Sequence, residues 1–116
     1  MSAPDAVVNF SVHEAALKTA ARALVESHLG AAPYEHTRVR AAVRTLSDAI
    51  LAAARSAAGD KWKICVDVAV LQTGAGFGGM ATHSAVLWDP STDAAITLSV
   101  PSADFVTVVS IFGLSL

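Results

Sequence analysis

The sequence predicts an α+β fold in which two N-terminal helices pack on a four-stranded antiparallel sheet. Apolar residues in the first half recur with the period of a helix, whereas those from Trp62 onward alternate with the period of a strand. Helices and strands are therefore segregated along the chain, which favours an antiparallel sheet over a parallel one built from alternating units.

The composition indicates one domain that leaves apolar surface for a second subunit. The chain has 116 residues, of which 53% are hydrophobic and only 16% are charged. Small domains have a high surface-to-volume ratio, so one small core cannot hide this much apolar surface. Two helices cover only one face of a sheet, and we expect another subunit to cover the other face.

Charge and residue usage argue against several other classes. The formal net charge of −2 provides no basic field for nucleic acid or anionic membranes. No run of about 18 apolar residues predicts a membrane span, and the first residues lack the pattern of a signal peptide, so we expect none. The single cysteine, Cys65, excludes an internal disulfide and fits a reducing compartment.

The first helix follows a short N-terminal arm. Residues 1–10 contain Pro4 and are predicted to be flexible. Ser11 and Glu14 have the spacing of a capping box, which predicts that a helix starts there. This helix is expected to continue to about His28, before a glycine that suits its end.

The second helix is predicted from about Glu35 or His36 to Ala57, and Gly59 is expected to stop it. Arg44 and Asp48 are four residues apart and are expected to pair. The outer side of this helix is positive, and we interpret it as solvated, with a partner-binding patch as the alternative. The positive residues are Arg38, Arg40, Arg44 and Arg55.

Three of the four predicted strands are well marked by apolar alternation or by apolar runs. They span Trp62–Leu71, Ala94–Val100 and Phe105–Phe112. The last is apolar at nearly every position, which places it in the middle of the sheet with both faces covered.

The stretch between the first two of these strands is the candidate functional segment. We interpret its glycines as a hinge and the following residues as a strand that leaves its own chain to complete the sheet of a second copy. The strand contains neither proline nor lysine, so its edge is open to an added peptide strand. The hinge residues are Gly74, Ala75, Gly76, Gly78 and Gly79. The crossing strand comprises Met80, Ala81, Thr82, His83, Ser84, Ala85, Val86, Leu87 and Trp88.

The glycines also match the dinucleotide-binding string G-x-G-x-x-G, with Asp93 further along the chain. That mechanism requires the glycines to open a helix within a parallel βαβ unit. The residues that follow here favour a strand, so nucleotide binding remains a remote alternative.

No residue pattern predicts catalysis or a cofactor. The four histidines, His13, His28, His36 and His83, lack the spacing of a metal motif. Cys65 is predicted to be a small packed residue of the first strand. We therefore expect a non-catalytic protein without a cofactor.

Several stretches resemble the Tctex-type dynein light chains. They are LGAAPYEHTRV (Leu29–Val39), QTGAG (Gln72–Gly76), LWDPSTDAAITLSV (Leu87–Val100) and the C-terminal VSIFGLSL. The likeness extends from about His13 to Leu116, which agrees with a single domain over residues 11–116.

The resemblance implies a non-catalytic subunit of a cytoplasmic or axonemal dynein, located on the cytoskeleton or in a cilium or flagellum. It implies a homodimer in which the second strand crosses to the partner's sheet and binds a segment of the dynein intermediate chain or of a cargo protein. Carried onto this chain, the crossing strand is Met80–Trp88, between hinges at Gly74–Gly79 and Asp89–Asp93. The glycine segment is longer than the family pattern, which leaves the start of the strand open. A motor-independent dimeric adaptor of the same fold is the alternative.

Overall fold

The computed structural model describes residues 8–73, 85 and 87–116. In this part of the chain a 3-10 turn and two helices precede three strands, which confirms the α+β class. The elements are the turn Phe10–His13, α1 Glu14–Leu29, α2 His36–Ala58, β1 Trp62–Gln72, β2 Ala94–Pro101 and β3 Phe105–Ser115.

Both helices end where the sequence predicts. Gly30 and Gly59 follow the last residues of α1 and α2 with φ of 61° and 90°, a conformation that favours glycine. The Glu35 carboxylate caps the start of α2 by accepting bonds from the amides of Thr37 at 3.0 Å and Arg38 at 2.8 Å. These backbone bonds hold the pKa of Glu35 below its ordinary value.

The predicted start of α1 is wrong in detail. Asn9, rather than Ser11, caps the 3-10 turn, and no side chain caps α1 itself. Glu14 forms an ion pair with Lys18 at 3.0 Å instead of closing a capping box. Phe10 is fully buried, so the end of the predicted arm is part of the fold; residues 1–7 lie outside the described part.

The sheet is antiparallel with the order β1-β3-β2. The central place of β3 confirms the prediction from its apolar sequence. Trp62 pairs with Ser115 at one end of the β1–β3 ladder and Gln72 with Phe105 at the other, while Ala94 of β2 pairs with Gly113. The two helices lie on one face, with α2 against β1 and α1 against β2.

The core lies between the helices and this inner face of the sheet. The strands contribute every second residue to this core, and each helix contributes a stripe of apolar residues along one side, as their periods predict. The fully buried large side chains are Phe10, Phe105, Leu17, Leu29, Leu46, Ile50, Ile96, Ile111, Val109 and Thr107.

The fourth predicted strand is not part of this sheet in the described residues. Ala85, Leu87 and Trp88 of the predicted crossing strand lie in no strand, and Leu87 is fully exposed. Met80–Ser84, Val86 and the hinge residues Gly74–Gly79 lie outside the described part, so their predicted roles stay predictions. Within the described residues, neither helix has the length and apolarity that a membrane crossing requires.

Candidate protein-interaction site

The two edge strands of the sheet are buried to different degrees on the inner face. On β2, Ile96, Leu98 and Val100 are only 1%, 6% and 6% exposed. The inner residues of β1 are all apolar, yet every one remains partly exposed: Trp62, Ile64, Val66, Val68 and Val70. The inner face of β2 is already covered, so β2 needs no further strand beside it. The inner face of β1 is only partly covered, as expected for an edge strand that lacks a neighbouring strand.

The open side of β1 is also free of a hydrogen-bonded partner strand among the described residues. All eleven residues of β1 pair with β3 on one side only. A backbone edge of this length presents unpaired amides and carbonyls to another strand. The site therefore offers both backbone hydrogen bonds and apolar side-chain contacts.

A groove of about 620 Å³ between α2 and β1 continues this open surface. Leu51 and Arg55 of α2 form one wall, and Trp62 and Ile64 of β1 form another. Leu51, which lines the groove, is 41% exposed. The groove can accept inward-pointing side chains of a strand added beside β1.

The outer face of the sheet, opposite the helices, is a second surface that none of the described helices or strands covers. The register places alternate residues of all three strands on it. Its large apolar side chains are only partly buried in the protomer: Leu71, Val106, Val108, Phe112 and Leu114. This is the face that the two helices leave open, and its cover by a second subunit stays a prediction.

The turn Asp89–Asp93, predicted as the second hinge, is fixed to the sheet by Asp93. Its carboxylate accepts hydrogen bonds from the amide of Ser115 at 2.7 Å, the amide of Asp89 at 2.9 Å and the hydroxyl of Thr92 at 2.9 Å. The bond from Ser115 is the main reason that the pKa of Asp93 lies below its ordinary value. The turn at the C-terminal end of the candidate segment is therefore fixed to the sheet.

Trp88, the last residue before this turn, lies on the outer face of the sheet. Its ring lies 6.5 Å, centroid to centroid, from the ring of Phe112, which belongs to the outer face. The residue just before the turn thus lies over the outer face of the central strand, away from the open edge of β1.

The opposite end of the candidate segment is fixed as well. The amide of Thr73, directly after β1, donates to the carbonyl of Asp104 at 2.7 Å. The Asp104 carboxylate in turn accepts from the amide of Tyr34 at 2.9 Å and 3.1 Å. The two residues that flank the candidate segment, Thr73 and Asp89, therefore lie at opposite ends of the sheet, and each is held by hydrogen bonds.

Two of the histidines make hydrogen bonds within the fold, and two predictions about other side chains are wrong. His36 bonds to the hydroxyl of Tyr34 at 2.9 Å, and His28 to the carbonyl of Leu24 at 2.9 Å. Cys65 is exposed on the outer face, so its prediction as a packed residue is wrong for the single protomer. Arg44 and Asp48 do not form the expected ion pair, as Glu14–Lys18 is the salt bridge found within the described residues.

Sequence reasoning missed the role of Arg38. Its guanidinium donates to the carbonyls of Leu29 at 3.2 Å and Pro33 at 2.9 Å, so it caps the end of α1 from the next helix. Within the described part of the chain, no group of three or more potential metal ligands comes together.

Comparison with known families matches the chain to the Tctex-1 family over residues 11–114. No curated protein matches the chain. The family match covers both helices, all three strands and the candidate segment, and the helix-then-strand order agrees with it. The chain therefore belongs to the Tctex-1 family, as its resemblance to the Tctex-type dynein light chains predicted.

Proposed function

We propose that this protein is a non-catalytic dynein light chain that acts as a homodimer. Residues 80–88 of each copy complete the sheet of the other copy beside β1. Their outer edge then binds a segment of the dynein intermediate chain, or of a cargo protein, as an added strand. The dimer would work on the cytoskeleton of the cytoplasm or, for an axonemal dynein, in a cilium or flagellum.

The observation that carries this proposal is the unequal burial of the two edge strands. The inner apolar row of β1 stays partly exposed over its whole length, while that of β2 is buried. A strand beside β1 would cover this row and satisfy its backbone groups at once.

The length of the candidate segment supports its assignment as that strand. β1 has eleven residues and is roughly 35 Å long. Residues 74–88 must return along this length, and their fifteen residues can extend to about 50 Å. The segment is therefore long enough to form a strand beside β1 and to leave several residues for a hinge.

The position of Trp88 favours exchange between copies over a hairpin within one chain. A hairpin would keep the returning strand in the plane of the sheet, beside β1. Trp88 instead lies against Phe112 on the outer face, the surface that a second copy is expected to cover. Strand exchange is a low-cost route to a dimer because it reuses contacts that the fold already favours.

The test is the native mass of the protein and of two variants at Ala85. The wild type is expected to be a dimer by light scattering. Ala85→Pro removes a backbone donor from the crossing strand and should give monomers or aggregates. Ala85→Val keeps the donor and favours a strand, so it serves as the matched control and should remain dimeric. A normal dimer of the proline variant, or a wild-type monomer, contradicts the proposal.

Client binding is measured separately with a peptide from a dynein intermediate chain. The wild type and the valine variant should bind it in a saturable manner, and the proline variant should not. Dimers that fail to bind any intermediate-chain segment would instead support the motor-independent adaptor.

A further inference from the structure

The α2 wall of the groove beside β1 continues along the N-terminal half of the helix. Leu51 and Arg55 form this wall within the groove. Arg40 and Arg44, which we call the arginine row, lie about three helical turns before them. The four residues therefore share one side of α2. The arginine row lies on the side of the helix that faces the open edge of β1, where we propose that the crossing strand and its client bind.

The arginine row has no acidic partner among the described residues. Both guanidinium groups are exposed, and the ion pair found in the described part of the chain lies within α1. The sequence has no acidic residue between Glu35 and Asp48. The carboxylates of Glu35 and Asp104, near the start of α2, already accept hydrogen bonds from backbone amides. Both positive charges therefore remain available to a partner.

The other charges near the open edge do not reverse the sign of this surface. Lys63 and Asp67 are the charged residues of β1, where they lie on the outer face and have opposite signs. The inner residues of β1 are apolar. Asp48 and Asp60 line the groove together with Arg55, toward the C-terminal end of α2. The side of α2 above the open edge is therefore positive in its N-terminal half and mixed in its C-terminal half.

The arginine row is unfavourable for the helix that carries it. Like charges four residues apart on a helix repel each other. Both arginines also lie toward the N-terminus of α2, the end at which the helix dipole is positive. A local arrangement that lowers stability, without a compensating contact in the part of the chain that the structure describes, is typical of a functional surface.

Resting on the strand addition proposed above, we infer that the client segment is acidic and that the arginine row selects it. Successive arginines of the row are about 6 Å apart along the helix axis. Alternate side chains of an extended strand lie on one face and are about 6.6 Å apart. Acidic residues at alternate positions of an added strand therefore match the spacing of the row. Guanidinium and carboxylate groups form strong, charge-assisted hydrogen bonds.

Three synthetic peptides test the selection. Each has about twelve residues in which threonine alternates with glutamate, glutamine or lysine, so the peptides share a residue that favours a strand and differ in charge. At low salt the wild-type dimer should bind the glutamate peptide at least about fivefold more tightly than the glutamine peptide, and the lysine peptide most weakly. Added salt should reduce this preference.

Substitutions in the two helices assign the preference to its residues. The double variant Arg40→Gln with Arg44→Gln removes both charges and keeps side chains that suit a helix. It should bind the glutamate and glutamine peptides with similar dissociation constants. Arg44→Gln alone should weaken binding of the glutamate peptide. Arg22→Gln is the matched control, since it removes one exposed arginine from α1, and it should leave that binding unchanged.

The possible outcomes separate this inference from the proposed function. Equal affinity for the glutamate and glutamine peptides, or tighter binding of the lysine peptide, would overturn the inference and leave strand addition in place. Equal effects of Arg22→Gln and Arg44→Gln would assign the preference to overall charge and would overturn it as well. A wild-type dimer that binds none of the three peptides would also overturn it, whereas binding of the intermediate-chain peptide would still decide the proposed function.

Discussion

The carboxylate of Asp93 accepts a 2.7 Å hydrogen bond from the amide of Ser115, 22 residues further along the chain. This bond joins the turn before β2 to the end of the central strand. The turn also receives the N-terminal residues, since the amide of Phe10 donates to the carbonyl of Thr92 at 2.8 Å. The turn Asp89–Asp93 therefore joins three parts of the chain: the Asp93 carboxylate holds the end of β3, and the Thr92 carbonyl holds the N-terminal residues.

Asp93→Asn should lower the thermal midpoint by several degrees at neutral pH. The amide keeps the size of the side chain but loses the charge that strengthens its three accepted bonds. The folded pKa of Asp93 lies below the ordinary value of 3.8. Its contribution to stability is therefore fully present above that value and is lost as the pH falls through the lower folded pKa.

Urea unfolding at pH 7 and at pH 3 or below measures this dependence. The difference in unfolding free energy between wild type and Asp93→Asn should be larger at pH 7 and should shrink on acidification. Asp60→Asn is the matched control, because Asp60 is exposed and makes no side-chain hydrogen bond with the described residues. An equal difference at both pH values would show that the charge of Asp93 is not the stabilising feature.

Gly113→Ala should destabilise the fold by about 1–3 kcal/mol through overpacking. A Cβ atom at position 113 would overlap the ring of Phe10, which lies directly on the backbone of β3 there. The ring is fixed on its other side by Trp62, whose ring centroid is 5.1 Å away. A double-mutant cycle with Phe10→Leu provides the control: the smaller side chain should make Gly113→Ala less costly. Independent effects of the two substitutions would contradict the contact.

The contact of Phe10 with Gly113 also explains why the start of the fold was harder to predict than the rest. The bounds of α2 and the alternation of β1 follow from local sequence, because each depends on neighbours three, four or two positions away. The capping box at Ser11 and Glu14 also has the correct local spacing. It does not form because Phe10 is held by Trp62 and Gly113, and Asn9 caps the resulting turn instead.

Some features of the candidate site could likewise be predicted from local sequence, whereas others could not. The apolar residues of β1 and the open outer face were predictable from alternation and composition. The order β1-β3-β2, which leaves β1 at the edge, depends on pairing between strands far apart in sequence and could not be read from any one segment. The anchoring role of Asp93 likewise depends on Ser115, which local turn chemistry does not reveal.

Thr107→Val should leave stability unchanged or increase it by about 1 kcal/mol. Thr107 is fully buried on the inner face of β3, and its hydroxyl has no hydrogen-bond partner within the described residues. Valine has nearly the same shape and removes an unpaired polar group from the core. Thr107→Ser is the matched control, since it keeps the hydroxyl and removes the methyl group, and it should be destabilising. Marked destabilisation by Thr107→Val would mean that the hydroxyl has a partner.

Cys65 provides a test of whether a second copy covers the outer face. It is the only cysteine of the chain and is exposed in the protomer, where it lies beside Phe112 on the outer face. If a second copy covers this face, the thiol should react slowly with a chromogenic disulfide reagent at high protein concentration. Dilution below the dimer dissociation constant should accelerate the reaction at least tenfold, because the monomer exposes the thiol. Ala85→Pro, which should not dimerise normally, should react at the fast rate while it remains soluble and folded. A wild-type thiol that reacts equally fast at all concentrations would show that the outer face around Cys65 stays open to solvent.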